Sequence, residues 1–314
     1  EDLARTYVLA ATAAAAVGLL AMSTAEDPRA AGPIADANDF AFYLLPALPL
    51  AIALRRPGPV PGRWDLAAAV VTVGMIATVS RGALLGLGVM LVVALLSRQV
   101  RLRDLVGLGG VLLAAASVLA VWQRELVMDS LTQKTAIAGQ NVSERFYLWD
   151  AAARMVLDRP VLGHGPGSFA AEHEWFASRL PVDTRNDLDV AHNTYLEVAA
   201  EAGFVGLAMF LVLLVVGLSG AWTAWRAGSR LGRIGAAVVA GLVGTSVAAC
   251  FVTEQFFLPL WLLVLGSFQI ITVVTMDQIH QLEKAVAPCI AQNGLQLGYI
   301  RGCCPCCNVH VYRS

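Results

Sequence analysis

Charge is scarce in this chain. Only 14% of its 314 residues are Asp, Glu, Lys or Arg, against 57% apolar ones, and Lys134 and Lys284 are its only lysines. A soluble domain carries about 25% charged residues, so the composition excludes an ordinary soluble fold and points to a membrane. Positive charge is not in excess either: the net charge is −1, and the arginines stand in short clusters between apolar runs. Nucleic acid therefore finds no electrostatic footprint here. The first long apolar run, residues 7–25, lacks a basic leader and a small-residue cleavage site, so it reads as a true span and not as a signal segment. Because Glu1 stands in place of Met, loss of an N-terminal part is expected.

What the sequence does have is long uncharged runs, at residues 7–25, 40–54, 66–80, 82–97, 105–123, 202–224, 234–253 and 255–275. Backbone in hydrocarbon must bond to itself, and none of these runs alternates as a barrel strand would, so each reads as a helix. Residues 66–97, interrupted only by Arg81, would form a helix of roughly 48 Å, too long for one crossing of a ~30 Å core. Arg55, Arg56 and Arg63 precede the segment and Arg98, Arg101 and Arg103 follow it. A hairpin puts both clusters on the cytoplasmic side, as the positive-inside rule prefers. Ser80-Arg81-Gly82 is then expected to be a turn at the outer surface.

Carried through, this orientation gives an all-α, polytopic bundle of about eight spans with both ends cytoplasmic, and Arg226, Arg230 and Arg233 also fall inside. The segment of about 124–201 lies outside, with seven Lys or Arg against twelve Asp or Glu. It is the one extramembrane region large enough to build a site. We expect a membrane domain over 1–275 and a cytoplasmic tail, disordered or non-native, over 276–314. The tail holds Cys289, Cys303, Cys304, Cys306 and Cys307 with His310. Its C-x-x-C spacings have no second ligand pair at zinc-finger distance.

In the outer segment, Phe146, Trp149, Ala153, Val156 and Leu157 recur at helical spacing before Pro160, with Asp150 and Arg154 as an i,i+4 pair. This reads as an amphipathic helix lying on the membrane or packed on the bundle. Arg145 opens that helix one turn before Trp149, where its guanidinium could reach a phosphate while its stem covers the indole; a solvated surface arginine is the alternative. Gly163, Gly165 and Gly167 with Pro166 make a tight turn that brings backbone N–H groups against something, in a purely structural role or as support for a ligand. No Lys follows and no strand precedes it, so it is neither a P-loop nor a dinucleotide fingerprint. His164 and His173, with Glu172 and Glu174, lack the spacing of a two-histidine metal site, and no metal or cofactor is expected.

Thr194 and Glu197 fit a T-x-x-E capping box, which starts a helix at Thr194 and leaves His192 just before its N-terminus. There the helix dipole disfavours imidazolium and attracts anions. A neutral histidine at that place can serve as a general base, with a buried structural histidine as the alternative. Topology puts Arg81, Arg145 and His192 on one membrane face. Two guanidiniums and a base there suit a pyrophosphate-linked substrate and an attacking hydroxyl.

The stretches DANDFAFYLLPALPLA (36–51), SRGALLGL (80–87), RFYLWDAAARMVLDRPVLGHGPGSF (145–169) and HNTYLEVAAEAGFVGL (192–207) together resemble the O-antigen ligase family, the lipid-linked glycan ligases and related polymerases of bacterial envelopes. The resemblance runs from about residue 36 to 253. It implies metal-independent, inverting transfer of a glycan from an undecaprenyl-pyrophosphate donor to a hydroxyl of a glycan or lipid-glycan acceptor, on the exterior face of the bacterial cytoplasmic membrane. On these residues it gives Arg81 and Arg145 the pyrophosphate and His192 the role of base, with Gly165, Gly167, Asn193, Glu197 and Glu201 as possible support. Family members carry about a dozen spans, so further N-terminal helices are expected. A repeat-unit polymerase differs only in the acceptor. From another class, a small-solute transporter would place charged or broken-helix features at the bilayer midplane, where these spans are bland.

Overall fold

Long apolar runs without alternation leave the backbone one way to satisfy its polar groups in hydrocarbon, which is to close hydrogen bonds within each segment. A computed structural model describes residues 1–22, 29–34, 36–55, 62–100, 110, 117, 144–177, 189–228 and 230–293, and among these there is helix and no strand. The helices are α1 (Asp2–Ala21), α2 (Ala37–Leu44), α3 (Ala47–Leu54), α4 (Arg63–Ala77), α5 (Arg81–Leu96), α6 (144–158), α7 (Ser168–Phe176), α8 (Thr194–Arg226), α9 (Arg230–Ala248) and α10 (Leu258–Asn293). Asp2–Ala21, Ala37–Leu54 and Thr194–Arg226 are long and apolar enough to cross a membrane, while Arg81–Leu96, Gly232–Ala248 and Leu258–Ile270 are apolar but shorter. The run at 105–123 apart from residues 110 and 117, the outer segment at 124–143 and 178–188, and the cysteine cluster at 303–307 lie outside the described residues. No break marks residue 276, because α10 runs through it to Asn293.

α9 is the hub, packing on α5, α8, α3 and α10, while α1, α3 and α4 pack on one another beside it. Phe40, Phe42, Leu44, Leu48, Met75, Met90 and Leu260 fill the main core. α5 lies close along α9 because both are glycine at the crossing. A Cβ on Gly86 would stand 2.6 Å from the Gly244 carbonyl, so only small residues allow this approach. The apolar run at 40–54 is divided at Leu45–Pro46 into α2 and α3. Pro46 and Pro49 lack the N–H groups that would bond to the Phe42 and Leu45 carbonyls.

The turn between α4 and α5 falls earlier than the expected 80–82. Thr78 and Val79 make it, with Val79 in the left-handed region (φ 55°). Ser80 caps α5 by accepting from the Ala83 N–H at 3.5 Å, so Arg81 is the first residue of the helix.

α8 carries the main irregularity. Gly203 (φ 65°, ψ −171°) breaks it into a short outer piece and a long apolar one. The break frees carbonyls behind it and N–H groups ahead of it, and the glycine turn after α6 takes both sets. His164 N–H donates to Ala200 O (3.1 Å) and Gly165 N–H to Glu201 O (2.8 Å), while Phe204 N–H donates to Pro160 O (2.7 Å) and Val205 N–H to Val161 O (3.3 Å). Gly163 and Gly203 both need positive φ, and a Cβ on either would collide with backbone of the other strand of this contact, at Glu201 and Val161 respectively.

α6 buries Leu148, Ala151, Ala152, Met155 and Val156, and Phe169, Ala191, Ala199 and Ala200 complete this second core. That corrects the stripe expected from spacing, because Phe146 and Leu157 are exposed. Both faces of the helix are apolar enough to have been the inner one, and contact with the outer piece of α8 decides between them. The Asp150–Arg154 pair forms as expected, at 2.9 Å.

Candidate active site

Four connections meet at one end of the bundle: the loop before α2, the α4–α5 turn, the stretch before α8, and the α9–α10 connection. Ala30 N–H donates to Ala77 O at 3.1 Å, tying the first to the second. Gly82 packs on the Phe251 side chain, tying the second to the fourth. Thr194 N–H donates to Ala249 O and Val252 O, both at 2.9 Å, tying the third to the fourth. The sequence-predicted arginines and histidine stand at this end.

Asn193, not Thr194, caps α8, its side chain accepting from the N–H groups of Tyr195 and Leu196 at 3.1 Å. This overturns the expected capping box. The Thr194 hydroxyl is drawn away to donate to Val252 O at 2.8 Å, and Glu197 reaches past the cap to accept from Ala191 N–H at 2.7 Å. His192 nonetheless precedes the helix N-terminus, as expected. It holds φ 49°, a left-handed conformation that costs an L-residue roughly 1–2 kcal/mol and that its neighbours enforce. Ala191 is held at both of its peptide groups, since Trp149 Nε1–H donates to its carbonyl at 3.0 Å. The indole thus fastens α6 to the residue before the histidine.

Arg145, at the start of α6, is half-buried, and Arg81 is exposed at the start of α5. Burial lowers the Arg145 pKa below its ordinary value; Asp36 opposes the shift and the nearby positive charge of Arg81 adds to it. Burial likewise lowers His192, with the Arg145 charge adding to the effect and Asp36 opposing it. Arg81, Arg145, His192 and Asp36 therefore form one electrostatic group. Burial and Arg145 favour the neutral imidazole, and no described residue ties Arg145 or Arg81 down in an ion pair.

Acids crowd this group. Asp36 caps α2, accepting from Asn38 N–H (2.6 Å) and Asp39 N–H (3.2 Å). Asp39 shares a hydrogen bond with Glu254 of the α9–α10 connection. Glu254 is 5% exposed, and its Oε1 has no hydrogen-bond partner. Burial pushes its carboxyl up to about 9, helped by the charges of Asp39 and Asp36. A neutral acid at this place leaves the two arginines free to dominate the local field. Sequence reasoning missed Asp36, Asp39 and Glu254 as a group. The first two lie within the resembling stretch at 36–51 but carried no chemistry there, and Glu254 was only the break between two spans.

The glycine turn belongs to a separate unit. Gly165 binds the α8 carbonyl at Glu201, and the Glu201 carboxylate accepts from Phe169 N–H at 3.3 Å and from Gly167 N–H. That carboxylate caps α7, whose own cap residue is Gly167 and has no side chain. The something that the turn approaches is thus the broken α8. His164, with a nearly buried side chain, faces Glu172 Oε2 at 2.9 Å and Met155 O at 3.1 Å, and His173 stacks on Phe169. Glu197, by contrast, is linked to His192 through Ala191.

No curated protein matches the chain. Residues 66–211, which carry Arg81, Arg145, His192, Glu197 and Glu201, match the family described as O-antigen ligase. This segment is an O-antigen ligase family domain.

Proposed function

We propose that the protein transfers a glycan from an undecaprenyl-pyrophosphate carrier to an acceptor hydroxyl on the outer face of the bacterial cytoplasmic membrane. The carrying observation is that a neutral, partly buried histidine shares one electrostatic group with two arginines free of ion pairs to described residues. His192 takes the proton of the acceptor hydroxyl as its oxygen attacks the anomeric carbon. The bond from that carbon to the pyrophosphate oxygen breaks on the opposite face, so configuration inverts. The negative charge gathering on the leaving pyrophosphate is met by Arg145 and Arg81. No metal enters these steps.

The opposite end of the bundle supports this orientation. There Arg55 pairs with Asp65 at 2.5 Å, Arg233 donates to the Arg55 carbonyl at 3.5 Å, and Gln99, next to Arg98, donates to Ala236 O at 2.8 Å. The positive-inside rule favours a basic end at the cytoplasm, and this reading puts His192 at the outer end. The bundle interior also favours transfer over solute transport. Buried Thr72, Thr245 and Ser267 each spend their hydroxyl on a carbonyl of their own helix, at 2.6, 2.7 and 2.5 Å. These three hydroxyls are therefore not offered to a passing solute.

The test uses purified protein, an undecaprenyl-pyrophosphate-linked oligosaccharide, and a panel of sugar-bearing lipids and short glycans as acceptors. His192→Ala is expected to lose roughly 100-fold to 10,000-fold in transfer rate. Arg145→Lys keeps the charge but not the planar fork, and is expected to lose about 1.5–3 kcal/mol of binding to the charged leaving group. Transfer at the unmodified rate by His192→Ala would sink the general-base assignment. Extension of the donor glycan itself, in place of transfer to a lipid, identifies a polymerase.

A further inference from the structure

Glu197 is buried, at 5% exposure, and its carboxylate accepts three hydrogen bonds. Oε2 receives Ala191 N–H at 2.7 Å and the Thr253 hydroxyl at 2.8 Å, and Oε1 receives Gln255 Nε2 at 2.9 Å. Two of the three donors belong to the α9–α10 connection, beyond the segment that carries the family match. A buried carboxylate needs several donors to remain charged and fixed. Without Thr253 and Gln255, Glu197 would keep one donor and would be free to turn, and Ala191 N–H would lose its anchor. The next peptide is the left-handed His192, which faces Arg145 and Asp36.

The rest of the docking does not depend on these two side chains. Thr194 N–H and Oγ1 bind the Ala249 and Val252 carbonyls, Glu254 N–H donates to Thr194 Oγ1 at 2.9 Å, and the Tyr195 hydroxyl donates to Ser246 O at 2.7 Å. Those bonds hold α8 on the end of α9 whether or not Glu197 is satisfied. Thr253 and Gln255 therefore act on the peptide before the histidine and not on the helix behind it. The Gln255 backbone is itself fixed, since Trp261 Nε1–H donates to its carbonyl at 2.7 Å.

Resting on the glycan-transfer reading above, we propose that Thr253 and Gln255 are positioning residues for His192, acting through the Glu197 carboxylate on the Ala191 peptide. The connection between α9 and α10 is then part of the catalytic mount, supplied by chain outside the family-matched segment.

The test compares the full chain in lipid nanodiscs with Thr253→Val, Gln255→Leu and the double variant. Diethyl pyrocarbonate acylates neutral imidazole, and mass spectrometry of the His192 adduct across pH gives the titration midpoint of that residue. Transfer is measured in parallel with the undecaprenyl-pyrophosphate-linked oligosaccharide. Each single variant is expected to keep its thermal midpoint, to shift the His192 labelling midpoint towards that of a free histidine, and to lose roughly tenfold to a hundredfold in kcat, as a displaced catalytic group does. The KM for the donor is expected to stay unchanged. Thr253→Ser is expected to restore both readouts. If the double variant does not fold, Gln255→Leu alone decides, because it keeps the Trp261 bond. An unchanged labelling midpoint in the folded single variants overturns the positioning role. If the unmodified protein transfers no glycan, the reading above fails, while the labelling result still decides whether the connection positions His192.

Discussion

At the scale of single residues, two titrations act in opposite parts of the pH range. Burial and Arg145 hold His192 below its ordinary value of 6.5, so the base stays neutral into mildly acidic solution. The acidic limb of the transfer rate is expected below that value, and Arg145→Gln, which removes the repelling charge, is expected to move the limb upward. Glu254 is the reverse case. Its carboxyl is raised from an ordinary 4.5 to about 9, so the folded protein retains a proton that the unfolded chain gives up. Stability is therefore lost as pH rises from the lower value towards the higher one. Glu254→Gln, which cannot ionise, is expected to flatten that slope in thermal melts recorded between pH 5 and pH 9 relative to the unmodified protein. It is also expected to keep diphosphate binding at alkaline pH, where an ionised Glu254 would add a negative charge to those of Asp36 and Asp39.

At the scale of elements, the break in α8 is the costliest feature to alter. Gly203→Ala places a Cβ at φ 65° and against the Val161 carbonyl. The backbone strain alone is of order 1–3 kcal/mol, and the clash adds to it. We expect a lowered thermal midpoint and parting of the turn from α8, read as faster amide exchange at Phe204 and Val205. Part of this design was legible in the sequence. The glycine spacing at 163–167 announced a tight turn, and Arg81 between two apolar runs announced a turn between two helices. The run at 202–224 gave the long half of α8, because hydrophobicity over a span is a local property. Contacts across the fold were not legible. Asn193 and Thr194 are both good cap residues, and only the Val252 carbonyl, nearly sixty residues on, decides which of them caps. The inner face of α6 was misread for the same reason, since its partners come from α7 and α8. Asp36, Asp39 and Glu254 each look like a solvated acid until the loop before α2 and the α9–α10 connection meet.

At the scale of the whole molecule, the candidate site lies at one end of the bundle, and several elements contribute to it. α5 brings Arg81, α6 brings Arg145, the start of α8 brings His192, and α2 with the α9–α10 connection brings the acids that tune them. The hydrogen bonds between Pro160–Gly165 and α8 have a consequence for the surrounding lipid. Four of them cross the break at Gly203, so the corner is braced and does not hinge. A helix that tilts to match bilayer thickness must therefore carry His192 with it, while Arg81 stays with α5. The distance from base to guanidinium should then follow the acyl-chain length of the host lipid. Transfer rates in nanodiscs of short, medium and long lipids are expected to peak at one length, as though the membrane itself set the focus of the site.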